Sequence, residues 1–182
     1  MFKLSQRTNR LIKQIFVITI LVTGTGIFAA VVFSNSLFVT GVGEFKEQPL
    51  AFSHQLHVND VGLKCEYCHS GTTHKNSADM PNIETCYGCH QEILKNTEFL
   101  KPVREGYSKK TSIKWNRVNQ LADHVHFNHS RHIKANVACT TCHGDVGSMP
   151  LVAPAHHFSM KYCLDCHRTQ SPKLQDCYTC HR

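Results

Sequence analysis

Ten cysteines fall as five pairs at a single spacing, Cys65/Cys68, Cys86/Cys89, Cys139/Cys142, Cys163/Cys166 and Cys177/Cys180, and none is left over. A histidine follows each pair at once: His69, His90, His143, His167 and His181. C-x-x-C-H is the attachment signature of a c-type haem. A disulfide framework accounts for an even cysteine count but not for a histidine after every second cysteine. Zinc sites take four ligands and leave nine other histidines without a role. Covalent haem accounts for all ten cysteines, because two thiols add to the two vinyl groups of one porphyrin and the adjacent histidine is carried under the iron as its proximal ligand. The expected cofactors are therefore five covalently attached haem c, and such attachment, made outside the cytoplasm in bacteria, requires an exported domain.

The N-terminus shows a route for export. Lys3, Arg7, Arg10 and Lys13 stand in the first thirteen residues with no acid, and residues 14–43 carry no charge at all. The most apolar part, "IFVITILVTGTGIFAAVVF" (residues 15–33), would span about 28 Å as a helix, close to the hydrocarbon thickness of a bilayer. Basic residues ahead of it place residues 1–13 in the cytoplasm, residues 14–36 across the bacterial inner membrane as an anchor, and the haem domain in the periplasm. A cleaved signal peptide is the alternative, with Ser34 and Ser36 as a weak processing site. The formal net charge of +7 does not point to nucleic acid, since +4 of it lies in the first thirteen residues and five haems add up to about ten propionate charges.

Spacing sorts the attachment motifs into two groups. Sixteen residues separate the first motif from the second, forty-eight the second from the third, nineteen the third from the fourth, and nine the fourth from the fifth. Each group opens on the same grammar: "FSHQLHVNDVGLKCEYCH" (residues 52–69) and "FNHSRHIKANVACTTCH" (residues 127–143) both read F-x-H-x-x-H, a spacer and C-x-x-C-H, with one more residue in the first spacer. This predicts a dihaem module over residues 45–100, a polar surface linker over 101–114 and a trihaem module over 115–182. About 28 residues per haem are too few for a conventional core around each one. The fold expected is mostly irregular with short α-helices at the motifs, almost no sheet, and porphyrins forming the core. Phe52, Phe127, Phe158, Tyr67, Tyr87, Tyr162, Tyr178 and Trp115 are expected to pack against haem edges.

Five irons need at most five distal ligands. Residues three apart on a helix lie on neighbouring faces, so each F-x-H-x-x-H can direct its two imidazoles at different irons. That assigns His54, His57, His129 and His132. For the fifth, Met160 stands just before the fourth motif and is the residue chosen, with Met149, Met80, His74, His156 and His157 as alternatives. A thioether would raise that haem's potential above its bis-histidine neighbours. His124 and His126 are expected to bind propionates, water or nothing.

The repeated grammar resembles the class III multihaem cytochromes, whose small bis-histidine folds pack haems edge to face. More specifically, "VTGVG", "KWNRVNQLADHVHFNHSRH", "CTTCHGDVGSMP" and "SMKYCLDCHR" together are similar to the pentahaem cytochrome subunit of alternative complex III, over residues 39–182. The resemblance implies an electron-transfer subunit of a membrane-bound quinol oxidoreductase, with no catalytic residue of its own. Its partners would be quinol-binding membrane subunits, an iron–sulfur subunit, and a periplasmic cytochrome or terminal oxidase as acceptor. Two other classes remain open at this point: a stand-alone membrane-anchored quinol dehydrogenase, and a multihaem reductase of nitrite or another small oxyanion. The second needs an iron with a displaceable sixth ligand, whereas every motif here ends in histidine and further donors are plentiful.

Overall fold

The computed structural model of the chain describes residues 5–181, so residues 1–4 of the expected cytoplasmic segment and Arg182 of the expected trihaem module lie outside the described residues. The chain divides into two compact units, residues 1–41 and 42–182.

The first unit is dominated by α1, Gln6–Ser34. Ser5 caps it, its hydroxyl accepting from Thr8 N at 3.2 Å. At 29 residues the helix is about 43 Å long, more than the hydrocarbon of a bilayer requires, and its most apolar stretch has a mean hydropathy of 2.5. It begins well before the apolar segment expected at residue 14, because Arg7, Arg10 and Lys13 are good helix formers. Polar side chains inside it are satisfied locally: the hydroxyls of Thr19, Thr23 and Thr25 donate to the carbonyls of Ile15, Thr19 and Leu21 at 2.8–2.9 Å. A helix that answers its own polar groups in this way is fit for lipid. Length and composition of this kind belong to membrane anchors and signal sequences alike. A short turn of helix, α2 (Leu37–Thr40), ends the unit on Gly41 in the left-handed region.

The second unit is built of short helices and irregular chain, with no strand among the described residues. Its α-helices are α3 (Cys65–Cys68), α4 (Ile83–His90), α5 (Lys101–Lys109), α6 (His129–Lys134), α7 (Cys139–His143), α8 (Met160–Gln170) and α9 (Cys177–Cys180). Each attachment motif is a helix or the end of one, since i+3 spacing on a helix brings both sulfurs to one side with the histidine following. Local capping sets where the longer ones begin. Asn82 Oδ1 accepts from Thr85 N at 3.1 Å, Asn128 Oδ1 from Arg131 N at 3.3 Å, and Ser159 Oγ from Tyr162 N at 3.2 Å.

Few apolar side chains are buried. Leu50, Ile83, Leu100 and Val103 form one small cluster where α5 packs on α4, with Cys86, Tyr87, Ile113 and Trp115 around it; Ala153 is buried elsewhere. Residues 101–114 thus carry more structure than an exposed connector. Val103 within them is the most deeply buried side chain described, at 1% exposure, and Tyr107 stacks on Tyr87 at 3.7 Å between ring centroids. Glycine is obligatory at Gly106 for a packing reason: a Cβ there would lie 2.8 Å from Thr111 O and 3.1 Å from Ile83. Residues 46–48 and 116–117 are laced together by Lys46 Nζ donating to Arg117 O, and by Gln48 and Asn116 exchanging side-chain and backbone bonds at 2.9–3.0 Å.

Candidate functional site

The two F-x-H-x-x-H segments adopt one geometry. Phe52 meets His54 edge-on at 4.8 Å and stacks on His57 at 4.3 Å; Phe127 meets His129 edge-on at 4.7 Å and stacks on His132 at 4.5 Å. His57 Nδ1 donates to Ser53 O at 2.8 Å and His132 Nδ1 to Asn128 O at 2.9 Å, both four residues back. The segments differ just beyond. The second runs on as α6, and His132 O accepts from Val137 N. In the first, residues Leu56–Asp60 form a wider π-turn, and His57 O accepts from Leu63 N, one residue further along.

The histidines of these segments face the histidines that end the attachment motifs. Ring centroids lie 6.2 Å apart for His57 and His90, 6.4 Å for His129 and His143, and 6.0 Å for His132 and His167. Two imidazoles gripping one metal from opposite sides, each nitrogen about 2.0–2.1 Å from it, hold their centroids about 6.3 Å apart. His54 is the neighbour of His69: burial first, then the charge of His69 and of His57, pushes its pKa down to about 4. Burial, then His129 and His69, likewise lowers that of His143. Rings held neutral in this way present a lone pair, which is what a metal requires.

A fourth measured pair joins parts of the chain far apart in sequence. His124 stacks over His181 with centroids 5.5 Å apart and planes 23° from parallel. An isolated antiparallel bridge between Val125 and His181 brings them together, with His126 N donating to Cys180 O at 2.8 Å and His181 Nδ1 donating to His124 O at 3.3 Å. Met160, the residue chosen from sequence as the fifth distal ligand, opens α8 with 63% of its surface exposed. Met80 is 55% exposed, and His74 meets only the neighbouring Thr73 hydroxyl. Met149 is half-buried with its carbonyl accepting from Gln55 N; His156 stacks on Tyr162; His157 is exposed. The ring that stands opposite His181 is therefore one that sequence reasoning set aside.

The second nitrogen of each ring completes the pattern. Nδ1 donates to a backbone carbonyl in His69 (Asp79 O, 2.8 Å), His90 (Ile93 O, 3.1 Å), His129 (Asn76 O, 2.8 Å) and His167 (Leu174 O, 3.0 Å), as in His57, His132 and His181. A carbonyl can only accept, so these bonds fix the proton on Nδ1 and leave Nε2 bare, the tautomer that ligating histidines adopt. His143 Nδ1 lies 3.3 Å from the Asn119 side-chain amide, whose Oδ1 is buried without a partner; a half-turn of that amide lets Oδ1 accept from Nδ1–H. His54 Nδ1 is buried without a partner.

All ten cysteine sulfurs are free, and burial pushes the thiols of Cys68, Cys86, Cys139, Cys142 and Cys163 up. These residues fit haem c on two independent grounds: the gap between facing rings, and the uniform anchoring of Nδ1. Of the aromatic residues expected at haem edges, Phe52, Phe127 and Phe158 touch ligand-type histidines, Phe158 meeting His143 edge-on at 6.0 Å. Tyr178, by contrast, is 78% exposed.

Comparison with known proteins gives two matches. Residues 50–111 match the family described as cytochrome c7 and related cytochrome c. Over 167 residues the chain is 30% identical to the menaquinone reductase multihaem cytochrome c subunit of Nitratidesulfovibrio vulgaris, covering 86% of this chain and 78% of that protein.

Proposed function

Because the chain belongs to the multihaem cytochrome c family of that menaquinone reductase subunit, in which haem c is covalently bound, we propose that it is a membrane-anchored relay holding five haems within a quinone-linked oxidoreductase. Haem c, when bound, supplies a reversible one-electron iron couple. The residues do the rest. Each cysteine pair tethers one porphyrin by two thioether bonds. His69, His90, His143, His167 and His181 hold one side of the irons, and His54, His57, His129, His132 and His124 the other, with His124 taking the place considered for Met160.

The observation that carries the reading is the set of facing imidazoles at 5.5–6.4 Å, each with a motif-ending histidine as one member. Iron closed on both sides by nitrogen exchanges electrons without admitting a substrate, which favours a relay over a reductase of small oxyanions. The small apolar cluster favours porphyrins as the larger part of the core: in a unit of this size the described buried apolar residues are only Leu50, Ile83, Leu100, Val103 and Ala153. Two haem modules, residues 45–100 and 115–182, fit the duplicated histidine segments. The N-terminal basic residues and α1 favour a cytoplasmic N-terminus, an inner-membrane anchor and a periplasmic haem domain.

The partners are membrane quinone-binding and iron–sulfur subunits, and a periplasmic cytochrome or a terminal oxidase. Two directions of flow are compatible with such a relay. The sequence blocks around Trp115 resemble alternative complex III, which draws electrons from quinol; the 30% identical relative, by its name, belongs to an assembly that reduces menaquinone. Purification of the intact assembly and assay with quinol plus oxidised cytochrome, or with quinone plus reduced cytochrome, separates the two. Paramagnetic resonance of the oxidised chain at neutral pH is expected to show low-spin iron throughout. A majority of high-spin iron would end the relay reading.

A further inference from the structure

We infer that the five attachment sites form one unbranched row, in the order second, first, third, fourth, fifth, so that the second and fifth sites are its ends. The inference rests on the relay reading and fixes its internal route. Sequence order would place the second site beside the third, and the structure does not.

Each step of the row has its own contacts. The first and second sites share one turn of chain, with His54 beside His69 and His57 opposite His90 at 6.2 Å. The sulfur of Cys68 has Cys86 and Cys89 among its neighbours. The first and third sites meet at their cysteines, where Cys139 is hydrogen-bonded to Cys65. They are also tied by Gln55 N donating to Met149 O at 3.1 Å and by His129 Nδ1 donating to Asn76 O at 2.8 Å, Asn76 lying in the loop after His69. His69 also stands close enough to His143 to perturb it.

The third and fourth sites share α6, whose His129 faces His143 and whose His132 faces His167. Tyr162 on α8 donates to Thr141 O on α7 at 2.9 Å, and Cys142 neighbours Cys166. Between the fourth and fifth sites, Cys163 neighbours Cys180, and His167 Nδ1 donates to Leu174 O, three residues before α9. Among the described residues the second site meets only the first in this way, and its far side is the Leu50, Ile83, Leu100 and Val103 cluster on α4 and α5. The fifth site meets only the fourth, with Cys177 and Tyr178 exposed. The forty-eight residues between the second and third motifs therefore return the chain to the first site before the row continues.

Iron-edge anomalous scattering from crystals of the haem-loaded full chain locates the irons directly. The shortest separations are expected for sites two and one, one and three, three and four, and four and five. A second or fifth site with two near neighbours, or a second site adjacent to the third, would overturn the order while leaving the relay intact; fewer than five irons would instead count against the relay. A solution measurement reads the same order. Redox titration of His57→Met, which marks an end site by its raised potential, is expected to shift one further haem. His129→Met, which marks an interior site, is expected to shift two. Equal numbers in the two variants would refute the row.

Discussion

Replacing His124 tests the assignment that sequence reasoning missed. His124 is exposed and its main packing partner is His181, so His124→Ala removes little apolar contact, and stability should change by no more than about 0.5 kcal/mol from packing alone. What it removes is one nitrogen donor of the proposed ten. If His124 closes the fifth iron, one site in five loses its sixth ligand, and about one-fifth of the haem signal of the oxidised protein should pass from low-spin to high-spin. Added imidazole should enter the vacated position and restore the low-spin spectrum, which a folding defect would not allow. His124→Met should keep the fifth iron six-coordinate and raise its potential above the other four. Met160→Leu is the counterpart, and with Met160 63% exposed at the start of α8 it should leave spectrum and potentials unchanged. The assay is low-temperature paramagnetic resonance with a parallel redox titration. A fully low-spin His124→Ala, or a high-spin fraction in Met160→Leu, would refute the reasoning.

Two further outcomes follow from backbone and membrane physics. Gly144 directly follows His143 at φ +70° and ψ −170°, a region essentially closed to side chains, and a Cβ there would lie 2.6 Å from the Ala155 Cβ. Gly144→Ala should therefore cost about 1–3 kcal/mol and lower the thermal midpoint of the haem-loaded protein, followed by circular dichroism; an unchanged midpoint would mean that the loop relaxes freely. Deletion of residues 1–41 should release the haem domain into the soluble fraction with its haem content intact if it carries a separate export signal, whereas the full chain should resist alkaline extraction from membranes. An intact mass lacking the first 34–36 residues would show instead that α1 is removed as a signal.

What was legible in the sequence is what local spacing dictates. Cys-x-x-Cys-His and the i, i+3 histidines need only one or two turns of helix to acquire their geometry, and the motif helices and both Phe–His clusters form as that spacing requires. His124 had no such signal. It is brought to His181 across 57 residues by an isolated bridge, and on extended chain His124 and His126 point to opposite sides, so "HVH" gives no helical pattern to recognise. Proximity in sequence to the fourth motif favoured Met160, yet a residue that opens a helix is readily left at its exposed end. The segment read as a polar linker did carry a signal: Val103, Gly106 and Tyr107 stand at i, i+3 and i+4, with Pro102 in the first turn, so a helix with one apolar face was written beneath its charges.

The extra residue in the first spacer shows how the duplicated segments keep one geometry. A π-turn closes its hydrogen bond one residue later than an α-turn and so absorbs a single insertion. In the first copy Val61 N donates to Leu56 O, five residues back, and the bond to the distal histidine's carbonyl comes from Leu63 rather than from a residue five along, as Val137 does in the second copy. Leu63 and Val137 each stand two residues before their first cysteine, so the register with the attachment motif is restored at the same point. The insertion is thus taken up after the ligand and before the thiols. Upstream of it the Phe–His stack and the Nδ1 bond to the fourth residue back are alike in both copies, at 4.3 and 4.5 Å and at 2.8 and 2.9 Å. Spacer length is free to vary by the width of one π-turn because the imidazole is aimed by residues that precede it, while the cysteines are placed by residues that follow.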